Sequence, residues 1–392
     1  MKDAPAIVAW ARSAVTPVGG GLSRLQPHDI GAPIVQALLQ RAGVDAQQVD
    51  AIVLGNALGA GGNPARMTAL AAGLARHCAA LTIDTQCCAG LDALAVAVGL
   101  IQSGQAHIVI AGGVEAWSRA PIRMTRPLHA DEAPMAYERP PFSPDPAQDP
   151  DLLHAAAEHA LESGYTRAQQ DAYALHSHQR AHALIDPDIV PIAGQSRDTY
   201  PRQITPERAA RMPVIAKGLS ALTISAKADG AAMVLVASPQ ACHRLRLQAR
   251  ARWVASVSVG SDPAMPLTAA ATAAQRAMAS AAHRLALPSL DARALHAIEL
   301  HDAFAAQGLS FCAALDIPPQ QINTGGGAIA RGHPIGASGA IALVRLLGTL
   351  NTQPFLSTST ALLPPAGRWG LAAIAGAGGL GAACVIHMEA PH

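Results

Sequence analysis

The sequence predicts an α/β protein built from two related halves with a loop region inserted into the first. Three observations carry that expectation. Short β-branched runs alternate with apolar helical patterns along the 392 residues. The alternation restarts after a polar loop near Gly260. The stretch between, 118–225, has a different texture, with Pro-Pro pairs and Asp-Pro repeats.

In the first half, Ala51–Gly55, His107–Gly112 and Met233–Ala237 read as buried strands. Between the first two, Leu91, Leu94, Ala95, Val98 and Ile101 recur at helical spacing. That helix is apolar nearly all round, so it should be central. In the second half, Pro266–Leu287 is an alanine-rich helical pattern, and Ala297–Leu300 and Leu371–Ile374 read as strands. Ile341, Leu343, Val344, Leu346 and Leu347 mark a second buried helix after His333-Pro334. Each half thus has a strand, a turn bearing a reactive residue and an apolar helix. The middle carries a helix over Ala168–Ala183 and reads as a lid, the kind of insertion that often binds ligands. The expected division is 1–117 plus 226–262 for the first half, 118–225 for the loop domain and 263–392 for the second half.

Half of the residues are hydrophobic and 14% are charged, below the ~25% usual for globular chains. A large core or a broad subunit interface is expected. A net charge of +1 gives no reason to expect nucleic-acid binding. The uncharged stretch from Gly370 to Met388 is rich in glycine and alanine, and reads as strand–turn–strand rather than a membrane span. The first residues lack a signal-peptide pattern. Six cysteines (Cys78, Cys87, Cys88, Cys242, Cys312, Cys384) have no framework spacing. A cytoplasmic protein is expected. His178 and His182 share a helix face near His176, but no further ligand stands at metal spacing, so no metal site is expected.

Four segments carry chemistry. Asp84-Thr-Gln-Cys87-Cys88-Ala-Gly90-Leu91 leads into the first buried helix. Free backbone N–H groups and the positive helix end there favour a thiolate; alternatively both cysteines are small core residues. Asn323 to Gly339 holds six glycines after Thr324 and one histidine, His333. The glycines could admit a thin acyl chain with His333 as base, or form a plain tight turn. Glu299-Leu-His301-Asp302-Ala-Phe304 ends a strand, and His301 there could be a ligand, a donor or a core histidine. Ala375-Gly-Ala377-Gly-Gly-Leu-Gly381 is another close-approach turn, or a simple hairpin.

Together these segments resemble the thiolase family, as do Arg12–Pro17 and Ala111–Pro121. The resemblance covers essentially the whole chain and is most specific at Asn323–Ala340. It implies a five-layered fold of two α/β/α halves plus a loop domain, and a homodimer or homotetramer. It implies a coenzyme A thioester as substrate, with no bound cofactor and no membrane insertion. The family's nucleophile falls on Cys87, with Cys88 where glycine or serine is usual. The activating histidine falls on His333, completing a base-activated pair. The backbone N–H groups of Cys87 and Ala377 would form an oxyanion hole. The pantetheine serine falls on Ser225, and a basic residue near the nucleotide falls on Arg202, which could equally be a solvated arginine. The family's His-Met pair appears as Leu152-Leu153; Leu153 and Phe304 complete the expected substrate contacts, and Lys227 is new beside Ser225.

Two departures stand out. His301 replaces the usual asparagine, as it does in some thiolases. Ala375 occupies the place of the second cysteine of a C-x-G motif, the group that takes the α-proton. The main expectation is an acyltransferase that makes or breaks a carbon–carbon bond by Claisen chemistry from an acyl-thioester on Cys87. A Cys87–His301–His333 set also resembles decarboxylating ketoacyl synthases, so condensation with a malonyl-type thioester or transfer to another nucleophile is an alternative. A catalytically weak scaffold subunit and a thioesterase are others.

Overall fold

A computed structural model of the chain describes residues 4–59, 61–352 and 367–389. Residues 1–3, at the start of the segment read for a signal peptide, lie outside these. Numbering the long strands and the helices of eight or more residues, the first half holds β1 (Ala6–Arg12), α1 (Pro27–Ala42), β2 (Ala51–Gly55), α2 (Pro64–Ala71), β3 (Ala79–Ile83), α3 (Ala89–Gln102) and β4 (Ile108–Ala116). The inserted region contributes α4 (Leu152–Glu162) and α5 (Arg167–Ala183). There follow β5 (Ala228–Ala237), β6 (Ala251–Gly260), α6 (Ala269–Arg284), β7 (Ala297–His301), α7 (Ala305–Ala314), α8 (Ser338–Thr352), β8 (Gly367–Gly376) and β9 (Leu380–Glu389).

The strands run in the order β7-β8-β9-β6-β1-β5-β4-β2-β3. The join at the centre is thin: β1 and β6 pair only at Ala6 with Arg252 and Ile7 with Ala251. Outward from it the two sides repeat. On one side β1/β5 and β5/β4 are antiparallel, and β4/β2 and β2/β3 parallel. On the other, β6/β9 and β9/β8 are antiparallel and β8/β7 parallel. Where β3 would recur, Ile322 makes one parallel bridge to Ile298 of β7. The duplication expected from pattern alone is therefore a duplication of strand order and direction.

The strand β6, within the 226–262 expected to join the first half, pairs from Arg252 to Gly260 with β9 and meets β1 at two positions. Sequence position places β6 directly after β5, whereas hydrogen bonding places it beside a strand more than a hundred residues later.

Layering follows from side-chain alternation along each strand. Val109 and Ala111 of β4 face a central core with Leu91 and Leu94 of α3 and Leu343, Val344 and Leu347 of α8. Ile108 and Ile110 face outward onto Ile30, Ile34 and Leu38 of α1 and Ala65 of α2. In the second half, Leu371 and Ala373 of β8 face Ala270 and Ala274 of α6 and Phe311 of α7. Helices, sheet, the α3/α8 pair, sheet, helices make five layers. The helix Ile335–Thr352 is long and apolar enough to cross a membrane, but 78% of it is buried at the centre, as its role as a core helix requires.

The inserted region is held by buried ion pairs. Arg12, fully buried at the end of β1, binds Asp186 at 2.7 Å and Asp198 at 2.7 Å. Arg345 of α8 also binds Asp186, at 2.9 Å, and Arg331 meets Asp198 at 3.2 Å. Removing one member of such a buried network strands the charge of the others, so the segment carrying the two aspartates is fastened to both halves.

Candidate active site

The turn before α3 puts a thiol where the two halves meet. Gln86 has φ 55, a conformation few side chains adopt, and Asp84 Oδ1 supports it by accepting the Gln86 backbone N–H at 2.9 Å. The kink turns the Cys87 sulfur toward the second half, 3.2 Å from His333 Nε2. Backbone N–H groups of Ala377 and of Cys87 itself reach the sulfur. Cys88 points the other way, into the central core, where its thiol packs by the Ile374 carbonyl.

His333 is set by its neighbours. Its backbone N–H donates to Ala226 O at 2.7 Å, and Trp117 Nε1–H donates to His333 O at 3.2 Å. Ser338 Oγ–H donates to Pro334 O at 3.0 Å, so the same oxygen is free to accept from His333 Nδ1–H at 2.7 Å. That assigns the Nδ1–H tautomer and leaves the Nε2 lone pair facing the thiol, the arrangement a general base needs. Burial lowers the His333 pKa to about 4. Burial also raises the Cys87 thiol to about 11, despite the N–H groups of Ala377 and Cys87. Desolvation thus opposes the thiolate that the helix end favours, and burial pushes both thiol and imidazole toward their neutral forms.

His301 ends β7 and packs its ring on that of His333, with centroids 4.3 Å apart. Burial, then His333, hold its pKa far below the ordinary value. Asn323, itself at φ 49, clamps the glycine-rich loop to β7: its Nδ2–H donates to Leu300 O at 2.9 Å and its Oδ1 accepts Leu300 N–H at 2.8 Å. Asp302 accepts from Ala328 N–H at 2.5 Å and from Tyr173 Oη–H at 2.9 Å, fastening the same loop to α5. Burial raises its carboxyl to about 6.

A cavity of about 100 Å³ opens beside the sulfur. Its apolar wall is Leu152, Ile224, Leu267 and Phe304, and Cys87, His333, Ser225 and the 375–377 turn form its floor. Of the anticipated contacts, Ser225, Phe304 and Ala377 line it. Leu153 does not; its neighbour Leu152 does, while Leu153 packs in the cluster behind. The Ser225 Oγ–H donates to Ala328 O at 2.8 Å. Arg202 is exposed and lies over the Tyr200 ring at 4.5 Å, away from this cavity. Ala375 lines the cavity where a thiol was looked for. Cys384 is fully buried in the central core and does not substitute for it. Among the described residues no group of three or more metal-type side chains is gathered, and His178 is buried with its Nδ1 accepting Arg202 N–H at 3.4 Å.

Glu115 was missed. It is one acid in the otherwise apolar strand β4, and that was the available signal. Its carboxylate accepts Asn56 Nδ2–H at 2.7 Å, Ala57 N–H at 2.9 Å and Gly336 N–H at 3.0 Å, with burial raising its pKa to about 7. Ser338 was missed too, although it stands five residues after His333. Within the glycine-rich loop, Gly336 serves a close contact with the backbone of the first half. Cβ atoms at Gly55, Gly90 or Gly113 would each strike Gly336 O, and one at Gly336 would lie 2.6 Å from Asn56 Cα. They let the backbones of the two halves touch. Gly336→Ala is therefore expected to cost about 1–3 kcal/mol, as overpacking does. Thermal unfolding would show a lowered midpoint, and a midpoint equal to the parent's would refute the close-contact reading.

A thiol beside an imidazole at the junction of two duplicated α/β halves, opening on an apolar cavity, is an arrangement that acyl transfer can use. Residues 5–240 match the family described as "Thiolase, N-terminal domain" and residues 247–388 match "Thiolase, C-terminal domain"; the chain belongs to the thiolase family. It is 38% identical over 370 residues to the probable acetyl-CoA acetyltransferase of Escherichia coli K12, an alignment spanning 88% of this chain and 92% of that protein. The crystal structure of the Bacillus anthracis acetyl-CoA acetyltransferase superposes with a TM-score of 0.86 at 28% identity, over 98% of this chain and 99% of that one. A thiolase from Ascaris suum in complex with coenzyme A shares the fold, with a TM-score of 0.86 at 24% identity, over 98% and 100% of the two chains.

Proposed function

We propose that the protein transfers an acyl group from coenzyme A to Cys87 and then makes or breaks a carbon–carbon bond between that acyl group and a second acyl-CoA. The observation that carries this is the 3.2 Å contact between Cys87 Sγ and the unprotonated Nε2 of His333. As the thioester carbonyl is attacked, His333 takes the thiol proton and returns it to the departing coenzyme A sulfur. The N–H groups of Cys87 and Ala377, which reach the Cys87 sulfur beside the cavity, would then hold the developing oxyanion. Coenzyme A enters only as substrate; no bound cofactor is needed for these steps. The cavity suits a short acyl group, and its apolar wall offers the pantetheine arm little beyond Ser225. Arg202 would meet the nucleotide end only if that end reaches the outer surface of the loop region.

The relatives' names favour the non-decarboxylating reaction over the malonyl alternative. The test supplies acetyl-CoA alone, then with malonyl-CoA, and follows both the mass of the Cys87 peptide and the product. Acetylated Cys87 with acetoacetyl-CoA formed from acetyl-CoA alone is the expected result. No adduct on Cys87 would overturn the reading, and product only with malonyl-CoA would replace it by the decarboxylating one. We further infer a homo-oligomer in the cytoplasm. In support, edge strand β3 is only partly covered, Ile122 and Leu128 are 85% and 89% exposed, and all six cysteines are free. Light scattering on the purified protein would check the assembly.

A further inference from the structure

Ala375 leaves the second half-reaction without a thiol to take the α-proton. Residues two apart on a strand share a face, and Glu299 and His301 of β7 do so toward α8. Behind His301 lies a cavity of about 20 Å³, bordered by Glu299, His301, Gly327, Arg331, Ser338 and Arg345. That is room for one water molecule. Three polar side chains border it. His301 Nε2 is buried without a hydrogen-bond partner, as is Nε of Arg345. Glu299 is 3% exposed and feels the fields of Arg345 and Arg331 without a direct ion pair to either. The arginines are already engaged with Asp186 and Asp198. A water here would have the donor and acceptor partners that buried waters require.

We propose that Glu299, acting through a water in this cavity and through His301, receives the α-proton in the carbon–carbon bond-forming step. The proposal rests on the acyl-transfer reading of Cys87. The α C–H bond of the second acyl-CoA breaks and its proton goes to one ring nitrogen of His301. The proton on the other ring nitrogen passes through the water to a Glu299 oxygen. The electron pair left on carbon attacks the thioester carbonyl held on Cys87, and the Cys87 sulfur leaves as thiolate. The stored proton then returns through the water and His301 and is taken up by that thiolate, so the cycle closes without another reactant. The physical advantage is that no imidazolium has to persist. Burial and His333 make a charged His301 costly, whereas the Glu299 carboxyl, raised by burial against the pull of Arg345 and Arg331, is a ready acceptor.

The test runs the full-length protein with acetyl-CoA in D₂O and measures two things. One is acetylation of Cys87; the other is deuterium entering the acetyl methyl group. Glu299→Gln is expected to acetylate Cys87 at the parent rate while methyl exchange slows by about 10²-fold or more. Its kcat should also lose the acid-side fall that protonation of Glu299 imposes on the parent. Glu299→Asp keeps the charge and should regain part of the exchange. If Glu299→Gln does not fold, Glu299→Asp carries the test, with exchange at least about tenfold slow at unchanged acetylation. Exchange at the parent rate in either variant would overturn the relay. So would equal losses of acetylation and exchange, the mark of a merely structural role, or absence of exchange in the parent. A parent protein that never acetylates Cys87 would instead overturn the function proposed above.

Discussion

Cys87→Ala is expected to lower kcat/KM by roughly 10⁴–10⁶-fold, the range seen when the nucleophile of a covalent mechanism is removed. The loss should be total for the acyl-enzyme, because no other thiol can reach the cavity. Cys88 faces the central core, Cys384 is fully buried there, Cys312 on α7 lies in the cluster around α6, and Cys78 and Cys242 lie in the cluster around α1 and α2. The measurement is mass spectrometry of the intact protein after acyl-CoA, beside steady-state rates. An adduct persisting in Cys87→Ala would move the nucleophile elsewhere and refute the assignment. Coenzyme A binding should change little, since the cavity wall of Leu152, Leu267 and Phe304 is untouched.

His333→Ala should be nearly as damaging, and pH reveals why. With the thiol held at about 11, roughly one molecule in 10⁴ is ionised at pH 7. Without the base, only that fraction attacks, so kcat/KM should fall by about 10⁴-fold at pH 7. The deficit should shrink tenfold for each unit of pH gained, because the thiolate fraction grows in proportion until pH approaches the thiol's own pKa. The unaltered protein should behave oppositely at the acid end. Its base is lost on protonation, so kcat/KM should be level through neutrality and fall as pH drops through about 4, where His333 takes up its proton. A pH-independent deficit in His333→Ala would show that the histidine positions substrate rather than moving a proton. A large residual activity would show that His301, its ring tilted against that of His333 at 4.3 Å between centroids, can serve instead.

Much of the site was legible in one dimension because its parts are local motifs. Cys87 stands in the turn into an apolar helix, and His333 stands among glycines before another; both turns were readable and both helices formed, at Ala89–Gln102 and Ser338–Thr352. Strand patterns read at 51–55, 297–300 and, as strand–turn–strand, 370–388 also formed, because buried strands write themselves as apolar runs. The lining of the cavity was less legible. Leu152 and Leu153 are adjacent on α4, and only helix orientation decides which of the two turns inward. Arg202 carries a charge that suits a nucleotide, yet its side chain lies over Tyr200 on the surface.

By itself the sequence determined the α/β alternation, the two apolar helices at the centre, the likeness to the thiolase family, and the alanine at position 375. These are properties of residue type and spacing. Only the tertiary structure decided that β6 pairs along its length with β9, that Gly336 lies against the backbone of the first half, and that burial pushes thiol and imidazole toward their neutral forms. It also placed Glu299 behind His301 and Glu115 across the junction. The reason is common to all of these. Strand pairing, close backbone approach and desolvation depend on groups tens to hundreds of residues apart, and a pKa depends on how much water is left around the group once they meet.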